Sequence, residues 1–280
     1  IMCFDNFLLI GSLFYKGDRK VKDHKRGIVD TKALLREIRK VKRLKERTGI
    51  SHAVDIIAET PDAMENYLDI ISEITEDFIF IGGLNEETRI AGYRKAKELG
   101  INQRCGVNSI SPFTTDNELE AIKENGIKYA IAQTLDPNAI YPDEKLCLLR
   151  NTILEKCKNL KIAVDVGVID FTSIWLAMEA IKLIKKELAI PAGCAPSNAA
   201  YQPLINKKVS KMTARAINVA LTSILQIINA DFIIYGPLKA AEYIFEAAAV
   251  VEGIKGYGEK LQGKALDKNH PLYKYLMNLT

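Results

Sequence analysis

The stretch AVDIIAETPDAMENYLDII, residues 53–71, contains one complete strand-to-helix unit. Its first part, Ala53–Ala58 (AVDIIA), is a short apolar run of the kind that forms a buried strand. The apolar spacing that follows predicts a helix over Asp62–Thr75, and Pro61 suits the first turn of that helix. A chain that repeats this unit builds a parallel sheet covered by helices.

The unit recurs along the whole chain. The eight predicted strands are Phe7–Phe14, Ala53–Ala58, Phe78–Ile81, Arg104–Asn108, Tyr129–Gln133, Lys161–Asp165, Pro191–Cys194 and Asp231–Tyr235. The helices after them are predicted over Thr31–Thr48, Asp62–Thr75, Glu86–Leu99, Asn117–Glu124, Asp143–Lys156, Thr172–Leu188, Val209–Ile228 and Lys239–Lys255. Strict alternation implies parallel strands with right-handed crossovers.

Eight such repeats in 280 residues predict one α/β domain over residues 1–280, a closed (β/α)8 TIM barrel. A doubly wound open sheet is the alternative, but Gly11 and Gly17 do not form the Gly-rich turn that such a sheet usually carries after its first strand. The last stretch, residues 256–280, is expected to cap the barrel or to form a subunit contact.

Composition narrows the class of protein. A net charge of +4, from 39 basic and 35 acidic residues, does not favour nucleic-acid binding. Five scattered cysteines fit a reducing cytoplasmic compartment, and the sequence shows no zinc motif. We expect no membrane span, and we expect no signal peptide in the opening IMCFDNFLLIG. The basic cluster Arg36–Arg47 is interpreted as a solvated helix face, with a docking patch for an acidic partner as the alternative.

In a TIM barrel the active site lies at the carboxyl ends of the strands. The residues at those ends are rich in amides, and they include no histidine and no nucleophile with a base beside it. Such a set suits a flat ring with hydrogen-bonding edges, and a pterin is one. Asp165 is the best carboxylate for the ring donors, and Asn108 and Asn198 are the best amides. Each of the three has an alternative role in capping or ordering a local turn.

Several longer motifs point in the same direction. They are GSLFYKGDRKVKDHKRGIVD at 11–30, ETPDAMENYLDII at 59–71, VNSIS at 107–111, AVDVGVID at 163–170, PAGCAPSNA at 191–199, DFIIYGPLKAAEYIFEAAAVVEGI at 231–254 and HPLYK at 270–274. With these motifs the chain resembles the MtrH family, the H-type subunits of tetrahydromethanopterin S-methyltransferase, and the related methyltransferases that use tetrahydrofolate. The motifs cover nearly the whole chain in the expected order.

The resemblance implies an enzyme that moves a methyl group between a reduced pterin at the barrel mouth and a corrinoid carried by a partner protein. It implies pterin contacts from Asn108, Asp165 and Asn198, with Ser109 and Gln133 beside them, and a catalytic pair Asp165 and Asn198. Asn198 would polarise the pterin nitrogen through water, a weak form of general acid catalysis. It also implies a cytoplasmic homodimer, association with a membrane complex through partners, and no bound metal.

The third predicted strand departs from this pattern. The family often ends that strand with Asp, whereas here it reads FIFIGG, so that Gly82 or Gly83 stands in its place. Glu59 or Asn85 could substitute for the missing pterin contact. The alternatives are a barrel that docks a corrinoid protein with impaired pterin chemistry, and an enzyme similar to dihydropteroate synthase.

Overall fold

The computed structural model describes residues 6–279. The opening residues 1–5, with Cys3 among them, and Thr280 lie outside the described residues. The strands are β1 Leu8–Leu13, β2 Val21–Asp23, β3 Ile28–Val29, β4 Ser51–Ala58, β5 Phe78–Gly83, β6 Cys105–Ile110, β7 Tyr129–Gln133, β8 Lys161–Asp165, β9 Ala192–Cys194 and β10 Phe232–Pro237. Eight of them close into a barrel in the order β1-β10-β9-β8-β7-β6-β5-β4, with every pairing parallel. The predicted TIM barrel is therefore confirmed.

Helices follow the barrel strands. They are α1 Thr31–Thr48, α2 Pro61–Ile74, α3 Glu86–Glu98, α4 Asp116–Glu124, α5 Pro142–Leu148, α6 Leu154–Lys156, α7 Phe171–Leu188, α8 Ser197–Ile205, α9 Lys211–Ile227, α10 Ala241–Leu261 and α11 Pro271–Lys274. The start of α2 shows why the sequence folds locally as it does. Pro61 occupies the first turn, and the Thr60 hydroxyl accepts a hydrogen bond from the Ala63 amide at 3.2 Å.

Apolar side chains form two layers. The larger one fills the space between the strands and the surrounding helices, and the smaller one plugs the barrel interior. The plug consists of Leu8, Ile10, Ala53, Phe80, Ile131, Ala163, Ala195, Phe232 and Ile234, with Phe78 packed against it. The barrel is thus a packed core, and a ligand can enter only above the plug, at the carboxyl ends of the strands.

The structure adds three features to the predicted alternation. A short antiparallel hairpin, β2–β3, lies between β1 and α1. The single helix predicted over Asp143–Lys156 consists of α5 and α6 joined by a π-helical segment at Leu149–Ile153. An additional helix, α8, follows β9 despite containing Pro203. Asn198, expected in an irregular turn, therefore stands in the first turn of α8.

The terminal segment begins later than expected, because α10 continues to Leu261. The residues after it pack against α1 and α10: the Lys274 ammonium donates to the Glu46 carbonyl, and a Cβ on Gly256 would lie 2.2 Å from the His270 ring. Gly49, which a Cβ would bring within 2.0 Å of the Asn269 carbonyl, precedes β4, so this segment covers the amino end of the barrel. A subunit contact there stays a prediction.

The basic cluster Arg36–Arg47 lies on α1, whose apolar residues Leu34, Ile38, Val41 and Leu44 are buried. Lys45 pairs with Asp77, and Arg47 pairs with Glu246. Arg36, Arg39 and Arg43 are exposed, as expected for a solvated helix face. No helix among residues 6–279 is both long enough and apolar enough to cross a membrane.

Candidate active site

Strand alternation places a polar ring directly above the apolar plug. Ile10, Ala53, Ile131 and Ala163 belong to the plug, and the residues two positions further along the same strands are polar. Because side chains two residues apart on a strand share one face, these polar residues also point into the barrel. The ring consists of Ser12, Asp55, Asn108, Gln133 and Asp165.

Asp55 stands at the centre of one half of this ring. Its carboxylate is 3% exposed and accepts a hydrogen bond from the Asn108 amide nitrogen at 2.9 Å. The Ser12 hydroxyl, paired with Asp55 in the β1–β4 register, lies 3.5 Å from the second oxygen. Burial raises the pKa of Asp55 to about 6, and the charge of Asp165 raises it further, whereas the Asn108 and Ser12 hydrogen bonds act in the opposite direction.

Asp165 ends β8 in the other half of the ring. It is also 3% exposed, it accepts from the Gly167 amide at 2.8 Å, and it pairs with Gln133 in the β7–β8 register. Burial raises its pKa, against the hydrogen bonds from Gly167 and Gln133 and the charge of Lys145. Two inward carboxylates with raised pKa values in one pocket are typical of a functional site.

The glycine at the end of the third barrel strand has a physical explanation. A Cβ on Gly82 would lie 3.3 Å from the nearer oxygen of Asp55, and 3.1 Å and 3.3 Å from the Ile56 and Asn108 carbonyl oxygens. The Asp55 carboxylate, which comes from the neighbouring strand, therefore occupies the space into which a side chain on Gly82 would point. Sequence reasoning missed Asp55 because a carboxylate was sought at a strand end.

The other predicted residues lie around this ring. Ser109 follows Asn108 in β6 and is half-buried, and Glu59 is half-buried just after β4. The exposed Asn198 donates to the Val168 carbonyl at 3.2 Å, which ties α8 to the loop after β8. Asn85 is exposed and accepts from the Thr88 amide at 2.9 Å, so its side chain caps α3. A contact of Asn85 with pterin stays a prediction.

Large apolar side chains surround the ring on one side. They are exposed residues in the loops that follow four consecutive strands, β5 to β8: Leu84 (69%), Phe113 (73%), Leu135 (39%), Ile169 (62%) and Phe171 (47%). We call these five residues the apolar rim. Exposed apolar surface of this kind beside a polar pocket marks a binding face.

This arrangement can hold a flat polar ring but offers no obvious nucleophile. A carboxylate such as Asp55 accepts hydrogen bonds from two adjacent donors, and the amides of Asn108 and Gln133 can both donate and accept. Among residues 6–279, no group of three or more His, Cys, Asp or Glu side chains is arranged to hold a metal ion.

Solved structures share this barrel. The 7,8-dihydropteroate synthase of Vibrio fischeri superposes with a TM-score of 0.68 at 14% identity, over 91% of this chain and 95% of that one. The Yersinia pestis enzyme, solved with a pterine-sulfa conjugate, gives 0.66 at 12% identity over the same shares. At such low identity the likeness concerns the fold alone.

Sequence comparison reaches further. The H-type subunit of tetrahydromethanopterin S-methyltransferase from Methanothermobacter thermautotrophicus is 28% identical over 96% of this chain and 91% of its own length. Its counterpart from Methanopyrus kandleri is 25% identical over 88% of this chain and 84% of its own. The profile of the tetrahydromethanopterin S-methyltransferase MtrH subunit family matches residues 5–265. With that match over nearly its whole length, this methyltransferase chain belongs to the MtrH family.

Proposed function

We propose that this chain transfers a methyl group between a reduced pterin, bound in the polar ring, and the cobalt of a corrinoid carried by a partner protein. The observation that carries the proposal is the buried pair Asp55–Asn108, with 2.9 Å between the amide nitrogen and the carboxylate. A pterin edge presents an amino group, a ring N–H and a carbonyl side by side. Asp55 would accept from the two donors, and Asn108 would serve the adjacent carbonyl.

Tetrahydromethanopterin is the pterin favoured by the names of the related proteins. Tetrahydrofolate presents the same ring edge, so the polar ring alone does not distinguish the two. The alternative of a docking barrel with impaired pterin chemistry rested on the missing third-strand carboxylate. Asp55 weakens that alternative because it provides a buried carboxylate at the same place.

The apolar rim supports docking of the corrinoid partner. A corrinoid is a broad macrocycle, and exposed side chains such as Phe113 and Ile169 could cover it and exclude water. The corrinoid supplies cobalt as donor or acceptor of the methyl group. The residues of this chain position the pterin nitrogen beneath it, and positioning is the main protein contribution to a transfer of this kind. Association with a membrane complex and formation of a homodimer belong to the same proposal.

The test is a methyl-transfer assay with methylcobalamin as donor. Purified chain is mixed with tetrahydromethanopterin or tetrahydrofolate, and the methylated pterin is identified by mass spectrometry. Protein-dependent formation of either product supports the proposal. Folded protein that methylates neither pterin, but still binds a corrinoid protein, would favour the docking alternative.

Pterin affinity should depend on pH. A carboxylate must be ionised to accept both ring donors, and the pKa of Asp55 is raised to about 6. The dissociation constant should therefore be nearly constant above that pH and should increase roughly tenfold for each unit below it. Calorimetric titration between pH 5 and 7 measures this trend. Oxidised pterin, which lacks the titratable amine of the reduced ring, serves as the control ligand, and a flat profile with it would contradict the role of Asp55.

Asn198→Ala should separate catalysis from binding. Asn198 is exposed at the mouth and is held by the Val168 carbonyl, where it can polarise a pterin nitrogen through water. We expect kcat for pterin demethylation to fall about 10- to 100-fold, with the pterin Kd changing less than threefold. Asn138→Ala is the matched control, because Asn138 is an exposed asparagine in the mouth loop between β7 and α5, and it should leave kcat unchanged. Equal kinetic effects of the two variants would refute the assignment.

A further inference from the structure

Most buried charges of the described residues have a direct partner of opposite charge. Asp18 pairs with Lys20 at 2.9 Å, and Glu118 pairs with Arg89 at 2.5 Å. Asp77 contacts His52 and Lys45. Each of these pairs compensates the cost of removing an ion from water.

Three buried acidic or basic side chains among residues 6–279 are exceptions: Asp55, Asp165 and Lys145. None of them forms an ion pair within 4.0 Å, although their exposed fractions are only 3%, 3% and 5%. All three lie at the same end of the barrel. Since unpaired buried charges are costly, their convergence at one place indicates a site that is completed by something else.

Lys145 reaches this place from a helix. It lies in the first turn of α5, and its ammonium donates to the Thr134 carbonyl at 3.3 Å. The Thr134 amide in turn donates to the Asp165 carbonyl at 2.9 Å, so the ammonium is held beside the end of β8. Leu135 packs over this place, because a Cβ on Gly167 would lie 3.0 Å from its side chain. The ammonium is therefore enclosed by apolar and backbone groups.

The charges around Asp165 come from several elements. Asp55 approaches from β4, Lys145 from α5, and the neutral Cys194 thiol from β9. Burial raises the pKa of Asp165, and Lys145 lowers it. Burial lowers the pKa of Lys145 itself, while Asp165, Glu144 and Asp136 raise it. Lys145 is thus the cation that opposes the effects of burial on Asp165.

We propose that Lys145 is a positioning residue of the pterin site, whose ammonium keeps Asp165 in the carboxylate form and fixes the strand end that carries Gln133. This role rests on the proposed function, because an ionised Asp165 is useful only to a ligand that donates hydrogen bonds. The ammonium has two further N–H donors beyond the one used by Thr134. It is close enough to act on the charge of Asp165 without occupying its oxygens, which remain free for a ligand.

The test compares Lys145→Met with Lys145→Arg in pterin titrations between pH 5.5 and 8. We expect Lys145→Met to move the pH at which binding is half-maximal upward by at least one unit. Affinity for methyl-tetrahydromethanopterin or methyl-tetrahydrofolate should fall more than tenfold at pH 6 and recover largely at pH 8. Lys145→Arg keeps the charge and should restore most of the affinity at pH 6. Lys20→Met, which removes the other buried lysine and its ion pair, should lower Tm without moving the profile.

A second readout does not depend on any pterin. Carboxyl-carbon NMR of ligand-free protein labelled at aspartate reports the titration of Asp165 directly. We expect Lys145→Met to raise the titration midpoint of Asp165 and Lys20→Met to leave it unchanged. An unmoved midpoint overturns the proposal, as does a pterin affinity lost equally at every pH. If the parent binds no pterin while the NMR midpoint still moves, the proposed function fails and the electrostatic role of Lys145 stands.

Discussion

Replacing Asp55 by asparagine is expected to weaken pterin binding by about 3 kcal/mol, or roughly 100-fold in Kd. The asparagine keeps the size of the side chain and an oxygen for the Asn108 amide, which lies 2.9 Å from Asp55 in the parent. It loses the ability to accept from two ring donors at once, and its NH₂ group faces one of those donors. Calorimetric titration of the parent and the variant at pH 7 measures the difference.

The same substitution should stabilise the ligand-free protein. The pKa of Asp55 is raised from 3.8 to about 6, so the folded state holds its proton more tightly than the unfolded state does. The corresponding stability is fully present below the unfolded value near 3.8 and is lost as the pH rises through about 6. At neutral pH the buried carboxylate therefore costs the parent about 2 to 3 kcal/mol, which asparagine avoids.

Denaturant unfolding between pH 4 and 8 tests this second effect. The parent should lose stability relative to Asp55→Asn across the interval from about pH 4 to pH 6, and the difference should stay constant above it. Asp62→Asn, a substitution of an exposed aspartate on α2, is the control and should show no such difference. Parallel stability curves for parent and Asp55→Asn would contradict a strained, functional carboxylate.

Gly82→Asp is expected to abolish measurable pterin binding, although it supplies the carboxylate that related chains carry on this strand. The new Cβ would lie 3.3 Å from an oxygen of Asp55, so two carboxylates would compete for one space. Their repulsion would raise the pKa of both and leave at least one protonated at neutral pH. We expect a loss of affinity of more than 100-fold, measured by the same titration.

Two further variants separate charge from volume. Gly82→Ala adds only the Cβ, with contacts of 3.1 to 3.3 Å, and should weaken binding less than tenfold. The double variant Asp55→Asn with Gly82→Asp moves the single carboxylate from one strand to the next and should regain part of the affinity lost in either single variant. Additive losses in the double variant would mean that Asp55 does not fill the role of the missing third-strand carboxylate.

The sequence was sufficient to predict the barrel because its signals are local and repeated. Apolar runs such as AVDIIA and KIAVD alternate with amphipathic helices, and Asp165 at the end of its strand points to the mouth. Asn108 was found by the same rule. The ligand of these residues was inferred from their chemistry and from a family resemblance, and the direct test of that inference is binding.

The rest depended on information that local patterns do not contain. Asp55 lies inside an apolar run, and only the register with Ser12 and the alternation from Ala53 place it in the polar ring. Lys145 lies on a helix, and its long side chain reaches the site through a tertiary contact with Thr134. The helix α8 was missed because Pro203 lies inside it, and proline ordinarily argues against a helix.

The most direct measurement is calorimetric titration of the folded chain with methyl-tetrahydromethanopterin and, separately, with methyl-tetrahydrofolate, each repeated with Asp55→Asn. We expect micromolar binding of at least one of the two pterins by the parent and a roughly 100-fold weaker Kd for the variant. Absence of binding to both pterins, or equal affinity of parent and variant, would contradict the claim that the ring around Asp55 is a pterin site.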